Sequence, residues 1–374
     1  NLMDDKTLRQ FTADAVRATL LMTPDEFRTL PDREICYKGT GPDLQQFDPS
    51  IDTRPPSRGV VIAQEVSAEM LSDRRVISAE SEYGDYTEER FIADSMGFEG
   101  YQRKSGFSVS ANCSVSGKGD EKPERNWYED EVFFKNLRYK GCGTKALERA
   151  IESIGPVKLT SGSYNMIVDS TIVSTLVIPI IDALKGSSLH IRNSFLADKL
   201  GVKVFGENVS LKDMPHTIGN SFSRLFDLEG IATKERDIIS GGTICNYFID
   251  NYYSRKLSLD VTIGTPSVVM MPENALLSNN KLSLSDIFKR ADRGIYVTQF
   301  NGGNCNAATG DFSYGIEGFL FHDGKIVHPV NEMLVSGNLI TLWNNLMAAA
   351  DDQMESRKWQ LPSLCFSNVN FNGL

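Results

Sequence analysis

From Phe226 onward the sequence is written in short apolar runs punctuated by Gly, Asn and Asp, and this pattern limits the fold more than any other feature. Residues 230–232, 295–300, 312–321 and 325–330 read as strands. His322-Asp323-Gly324-Lys325 is a hairpin signal, because an Asp-Gly pair accommodates the positive φ that a two-residue turn demands. Residues 284–293 and 339–349 read as helices. The predicted class is α+β with a mostly antiparallel sheet and flanking helices, rather than a doubly wound dinucleotide fold.

The first half has a different texture. Residues 6–21 predict a helix with Leu8, Phe11, Ala15, Val16 and Leu20 near one face. Thr23-Pro24-Asp25-Glu26 predicts a capped second helix ending near Pro31, and 39–57 a long loop. Phe107, Val109, Ala111, Cys113 and Val115 alternate with Ser and Asn, which suits a strand with one solvated face. Residues 91–103, interrupted by Gly97 and Gly100, supply a neighbouring strand of the same sheet. Helices are expected at 60–71, 127–137, 145–154, 171–184 and 194–200, and a strand at 157–168. The charged stretch 117–125 is a turn or a linker, so the expected division is an N-terminal α/β domain over 1–120 and a larger C-terminal domain over 121–374.

Composition removes several function classes. The 374 residues carry 39 Lys and Arg against 49 Asp and Glu, a net charge of −10. That balance disfavours a nonspecific nucleic-acid surface, which needs cations to neutralise phosphates, and no direct nucleic-acid binding is expected. No apolar run reaches the roughly 18 residues of a membrane span. The six cysteines are widely spaced, without a CxxC, and read as cytosolic thiols; a cytoplasmic location is expected. The four histidines form no metal-binding spacing.

The densest chemical signal is the run from Gly302 to Ser313. Gly302, Gly303, Asn304, Asn306, Thr309, Gly310 and Asp311 are the candidate groove residues. Small and turn-forming residues let backbone groups approach a carboxylate, a peptide or a phosphate. The same residues can equally serve only to shape a sheet and its turn. Cys305 invites a nucleophile reading with His322 as base; a buried thiol is the plainer one. His328 and Glu332 lie four apart, but Pro329 and the strand pattern before it argue against a helix that would bring them together. Asp227 and Glu229 read as a capping turn or an acid–base pair. Tyr247, Phe248, Tyr252 and Tyr253 read as core or as the lining of a peptide cleft.

Longer motifs carry a family likeness. Gly294-Ile295-Tyr296-Val297-Thr298, the Thr309-Gly310-Asp311-Phe312-Ser313 core, Pro329-Val330, Glu332 and Ser336-Gly337-Asn338-Leu339 form a C-terminal signature. Ser161-Gly162-Ser163-Tyr164, the run from Ser194 to Gly201, Phe226-Asp227-Leu228-Glu229-Gly230 and Leu44-Gln45-Gln46-Phe47-Asp48-Pro49 extend it upstream. With these the chain resembles the TldD/TldE family, also called PmbA or "modulator of DNA gyrase", in its TldE/PmbA branch. The resemblance implies an N-terminal α/β domain, whose leading strands this chain is expected to lack, and a larger sheet-based C-terminal domain. It also implies a pairing with a TldD-like metallopeptidase that processes or degrades peptides. TldD-like members carry an HExxxH zinc helix with a further cysteine ligand. The matching stretch here is Ser174-Thr175-Leu176-Val177-Ile178-Pro179-Ile180-Ile181, which holds neither His nor Glu. The expectation is a non-catalytic companion subunit with no cofactor of its own, zinc residing in the partner, and peptide or unfolded protein as substrate. A homo-oligomeric peptide-binding scaffold and a stand-alone hydrolase using Cys305 are the alternatives.

Overall fold

The computed structural model describes residues 4–272 and 282–373. Helix α1 (Asp5–Leu20) is capped by Asp4, whose carboxylate accepts from Thr7 N at 2.9 Å, and none of its residues is buried. The helix expected after Pro24 is instead a turn. Asp25 caps it by accepting from Phe27 N, and Tyr252 OH donates to the same carboxylate at 2.8 Å. Residues 29–37 lie against the C-terminal half: Tyr37 N donates to Gly230 O and Ala232 N to Ile35 O, both at 2.9 Å.

The first sheet has the order β1-β2-β3, from strands Val76–Ala93, Glu99–Val115 and Glu124–Glu131, all antiparallel. The alternation read at 107–115 is real, and those apolar side chains face a small core. Helices α2 (Ser57–Met70) and α3 (Cys142–Glu152) cover it with Ile62, Val66, Met70, Ala146 and Ala150. Each such large aliphatic side chain contributes about 1.5–3 kcal/mol on burial. The two helices touch closely at Gly143, where a Cβ would stand 2.2 Å from Val66 O. Glu69 of α2 accepts from Gly141 N and Gly143 N at 2.9 and 3.0 Å, capping α3.

Two expectations change here. The helix predicted over 127–137 is instead the end of strand β3 as far as Glu131, followed by bends and a single 3-10 turn at Phe134–Asn136; Arg125, Trp127 and Glu129 alternate against β2, with Ala111 opposite Trp127. The sheet therefore runs past position 120, and β3 and α3 belong with β1 and β2; the chain crosses to the second body after α3.

That second body is built on β4 (Gly162–Val168), β9 (Gly294–Cys305), β10 (Asp311–His322), β11 (Lys325–Asn338), β12 (Leu346–Ala349) and β14 (Leu364–Gly373), in the order β11-β10-β9-β4-β14-β12. A further pairing of β11 with β14, Val335 opposite Phe371, closes five strands into a barrel. Only β4 and β9 run parallel within it. Asp323 and Gly324 take φ of 51° and 67°, the left-handed turn that their sequence predicts. Helix α4 (Ser174–Ala183) packs Leu176, Val177 and Ile180 into the main core with Met166, Val297, Phe312 and Val335. A third, smaller sheet has the order β13-β8-β5-β6-β7, from Trp359–Gln360, Val269–Met270, Leu211–Asp213, Arg236–Ser240 and Thr243–Ile244. Residues 194–200 are turns rather than helix, held by Tyr247 OH, which accepts from Lys199 N and Leu200 N. The helix predicted over 339–349 ends at Asn344, and β12 follows. Among the described residues no helix is long and apolar enough to cross a membrane.

Candidate functional site

A cleft of about 760 Å³ lies between the first sheet and the barrel. One wall is β3, from Glu124 to Tyr128, with Arg149 of α3; the other is Thr298, Gln299 and Phe300 of β9 with Glu317 of β10; Thr171, Ile172 and Thr175, at the start of α4, close the floor. Edge strands form both walls. Among the described residues β3 pairs only with β2, and β9 loses its β4 neighbour beyond Val297. Consecutive residues of each strand therefore reach the cleft, and the lining is mixed: aromatic at Trp127 and Phe300, polar at Gln299, Thr171 and Thr175.

Three arginines join the first sheet and α3 to the rest of the chain around the cleft. Arg125 pairs with Glu317 across the cleft. Arg149 Nη2 lies 3.2 Å from Asp169 Oδ2. Arg357 Nη1 lies 2.6 Å from Asp130 Oδ1, and its guanidinium stacks 3.3 Å from the Tyr128 ring. Asp169 also accepts from Tyr296 OH and from Thr171 N. Burial, then the Asp169 charge, pushes the Tyr296 phenol well above its ordinary range, so it donates and does not ionise. On the adjoining face of β3, burial first and then Asp130 and Glu129 push the Glu131 carboxyl up to about 7.

The residues singled out by sequence form the hairpin between β9 and β10, and their polar groups mostly bind each other. Asn306 N donates to Asp311 O at 2.7 Å, Ala308 N to Asn306 Oδ1 at 2.9 Å, and Thr309 Oγ1 to Asp311 Oδ2 at 2.7 Å. Asn338 Nδ2 donates to Asp311 Oδ1 at 2.9 Å, and this bond, with that of Thr309, holds the Asp311 carboxyl below its ordinary range. Gly310 sits over Phe195 at φ 79°. Gly302 and Gly303 take φ of 63° and 91°, and a Cβ on Gly303 would stand 2.1 Å from Ser313 O. Asn304 is exposed opposite Ser313. None of these seven lines the cleft, which the same β9 strand enters a few residues earlier.

Cys305 and His322 are at opposite ends of β10: Cys305 faces Phe312, while His322 lies about 33 Å further along the strand at ~3.3 Å per residue. Burial, then Asp311, raises the Cys305 thiol, the reverse of what a nucleophile needs. Glu332 sits at φ 52° in strand β11 and pairs with Lys158, not with His328. Asp227 accepts from Glu229 N and Ile231 N, a capping turn. Tyr247 and Phe248 are core, and Tyr252 and Tyr253 pack edge to face at 5.1 Å. The cleft itself went unmarked in sequence because its residues are scattered from Asn112 to Arg357. The one local signal was the charged stretch before Trp127.

A metal does not fit the inward face of α4, which offers Leu176, Val177, Ile180 and Ile181. Among the described residues no three His, Cys, Asp or Glu side chains converge as a metal site would require.

An α+β protein with a closed, mostly antiparallel barrel, a covering sheet and a cleft of mixed lining between them is thus defined by its own geometry. Residues 49–154 match the PmbA/TldA metallopeptidase central domain and residues 161–373 its C-terminal domain; the chain belongs to this family. It is 41% identical to a Bacteroides thetaiotaomicron protein described as a modulator of DNA gyrase, with a TM-score of 0.96 over 100% of this chain and 84% of that one. It is 26% identical to the metalloprotease PmbA homolog of Buchnera aphidicola subsp. Acyrthosiphon pisum, over 98% of this chain and 81% of the relative. The TldE structure from Thermococcus kodakarensis shares the fold, with a TM-score of 0.84 at 20% identity over 99% of this chain and 85% of that one.

Proposed function

We propose that this chain is a non-catalytic, TldE-like subunit that works beside a TldD-like, zinc-bearing metallopeptidase and helps to hold peptide substrates. The observation that carries this reading is α4. It occupies the position that the resemblance assigns to the zinc helix, and apolar side chains fill its inward face where ligands would stand. Zinc hydrolysis needs several ligands and an open coordination position, and that chemistry falls to the partner. The cleft contributes binding: two edge strands and a mixed lining suit an extended polypeptide better than a compact metabolite. Separation of Cys305 from His322 weighs against an independent hydrolase.

Reconstitution tests the reading. A TldD-like protein from the same genome is assayed on an unfolded peptide with and without this chain. Cleavage should require the partner's zinc and rise when this chain is added, with a mixed complex on gel filtration. Undiminished cleavage by this chain alone, or no association with the partner, overturns it.

A further inference from the structure

The loop that leads into α3 carries charge of the sign that the chain as a whole lacks. From Val132 to Leu147 the sequence holds Lys135, Arg138, Lys140 and Lys145 and no Asp or Glu, in a protein whose acids outnumber its bases by 49 to 39. Lys135, Arg138 and Lys140 are exposed on and after the 3-10 turn Phe134–Asn136. Two arginines before and within α2 touch the same loop. Arg58 Nη2 donates to Tyr139 OH at 3.1 Å, and the Arg54 guanidinium lies 3.4 Å from the centre of the Phe134 ring. Five cations are thus gathered in one short loop and the two side chains that hold it.

The carboxylates around the loop are engaged elsewhere. Asp48 accepts from Phe134 N at 2.9 Å, and Glu69 accepts from Gly141 N and Gly143 N, so both serve backbone amides. Glu129 pairs with Lys145, and Asp52 with Arg103. Glu131 is half-buried at the end of β3. Two exposed acids mark the border. Glu65 stands one turn before Glu69 on α2, and Asp85 follows Tyr83, the β1 residue that packs on Gly59 of α2. Among the described residues none of the five cations is in an ion pair. The size of the patch selects its partner. A nucleic acid or an anionic bilayer extends beyond one loop, and would meet Glu65, Asp85 and the field of a net charge of −10. A short acidic segment does not. Its carboxylates match the forked donors of Arg58 and Arg138, and half-buried Phe133 and Tyr139 offer apolar contact between the charges.

We propose that residues 133–141, with Arg54 and Arg58, form a docking surface for a short acidic segment of a partner polypeptide. The loop enters α3 at Gly141, whereas the cleft takes Arg149 and Ser153 near the other end of that helix. The docking surface is therefore separate from the cleft and independent of the function proposed for it.

Fluorescence anisotropy of the whole chain with a labelled decaglutamate peptide tests the surface, at low and at physiological ionic strength. Binding should saturate and weaken as salt screens the charges. The triple variant Lys135→Glu/Arg138→Glu/Lys140→Glu should lower the affinity by about tenfold or more, with Tm held to within about 2 °C because the three side chains are exposed. A control triple, Lys203→Glu/Lys289→Glu/Lys325→Glu, changes the net charge equally at exposed sites outside the loop, and should move the affinity by less than about twofold. If the loop triple does not fold, Lys135→Ala/Lys140→Ala should still cost about threefold. Absence of saturable binding, an equal loss in the loop and control triples, or tighter binding of a labelled ten-nucleotide oligothymidylate than of the peptide overturns the proposal.

Discussion

Glu131 ends β3 behind Asp130 and Glu129, and its carboxyl is held up to about 7 against an ordinary 4.5. The folded carboxyl keeps its proton more tightly than the unfolded one. Its contribution to stability is therefore full below about 4.5 and is lost as pH rises toward 7. Glu131→Gln should flatten that part of the stability profile and raise Tm at pH 8 by roughly 1–2 °C, read by scanning calorimetry at several pH values. An unchanged profile contradicts the assignment of burial as the cause. Gly303 is the second residue-scale case. Its φ of 91° and the 2.1 Å between an added Cβ and Ser313 O leave no room for a side chain. Gly303→Ala should cost about 2–4 kcal/mol, seen as a lower denaturant midpoint at constant slope. In the sequence this glycine read as a groove candidate, yet its conformation serves the hairpin.

At the scale of elements, the C-terminal strands were legible because Gly, Asn and Asp mark their ends, and the Asp323-Gly324 turn fixes the register of β10 against β11. Strand β3 was not. Its run Glu124–Glu131 is too charged to show a buried face, and only pairing with β2 makes it a strand. Likewise 194–200 looked helical until Tyr247, distant in sequence, satisfied its amides. The α3–barrel contact rests on Arg149 and Asp169, and the Asp169 side chain is only 7% exposed. Arg149→Met should destabilise by about 1–3 kcal/mol by leaving that buried carboxylate with its Tyr296 and Thr171 hydrogen bonds but without the arginine charge, and adding Asp169→Asn should recover part of the loss. A double-mutant cycle in denaturant checks the coupling; additive effects contradict a direct pair.

For the whole molecule, the family was legible in dispersed motifs, while the cleft was not, since it exists only where the first sheet meets the barrel. Its three arginine bridges, Arg125–Glu317, Arg149–Asp169 and Arg357–Asp130, are each too distant in sequence to be read as pairs. Helix α4 buries apolar side chains in the core, and the proposed function divides the labour between a zinc-bearing partner and this chain. Zinc stoichiometry of the purified chain, after loading with excess zinc and removal of free metal, tests that division most directly. Well under one zinc per chain by elemental analysis, and no peptidase activity in the same sample, are expected. One tightly held zinc per chain, together with cleavage of an unfolded peptide, would contradict it.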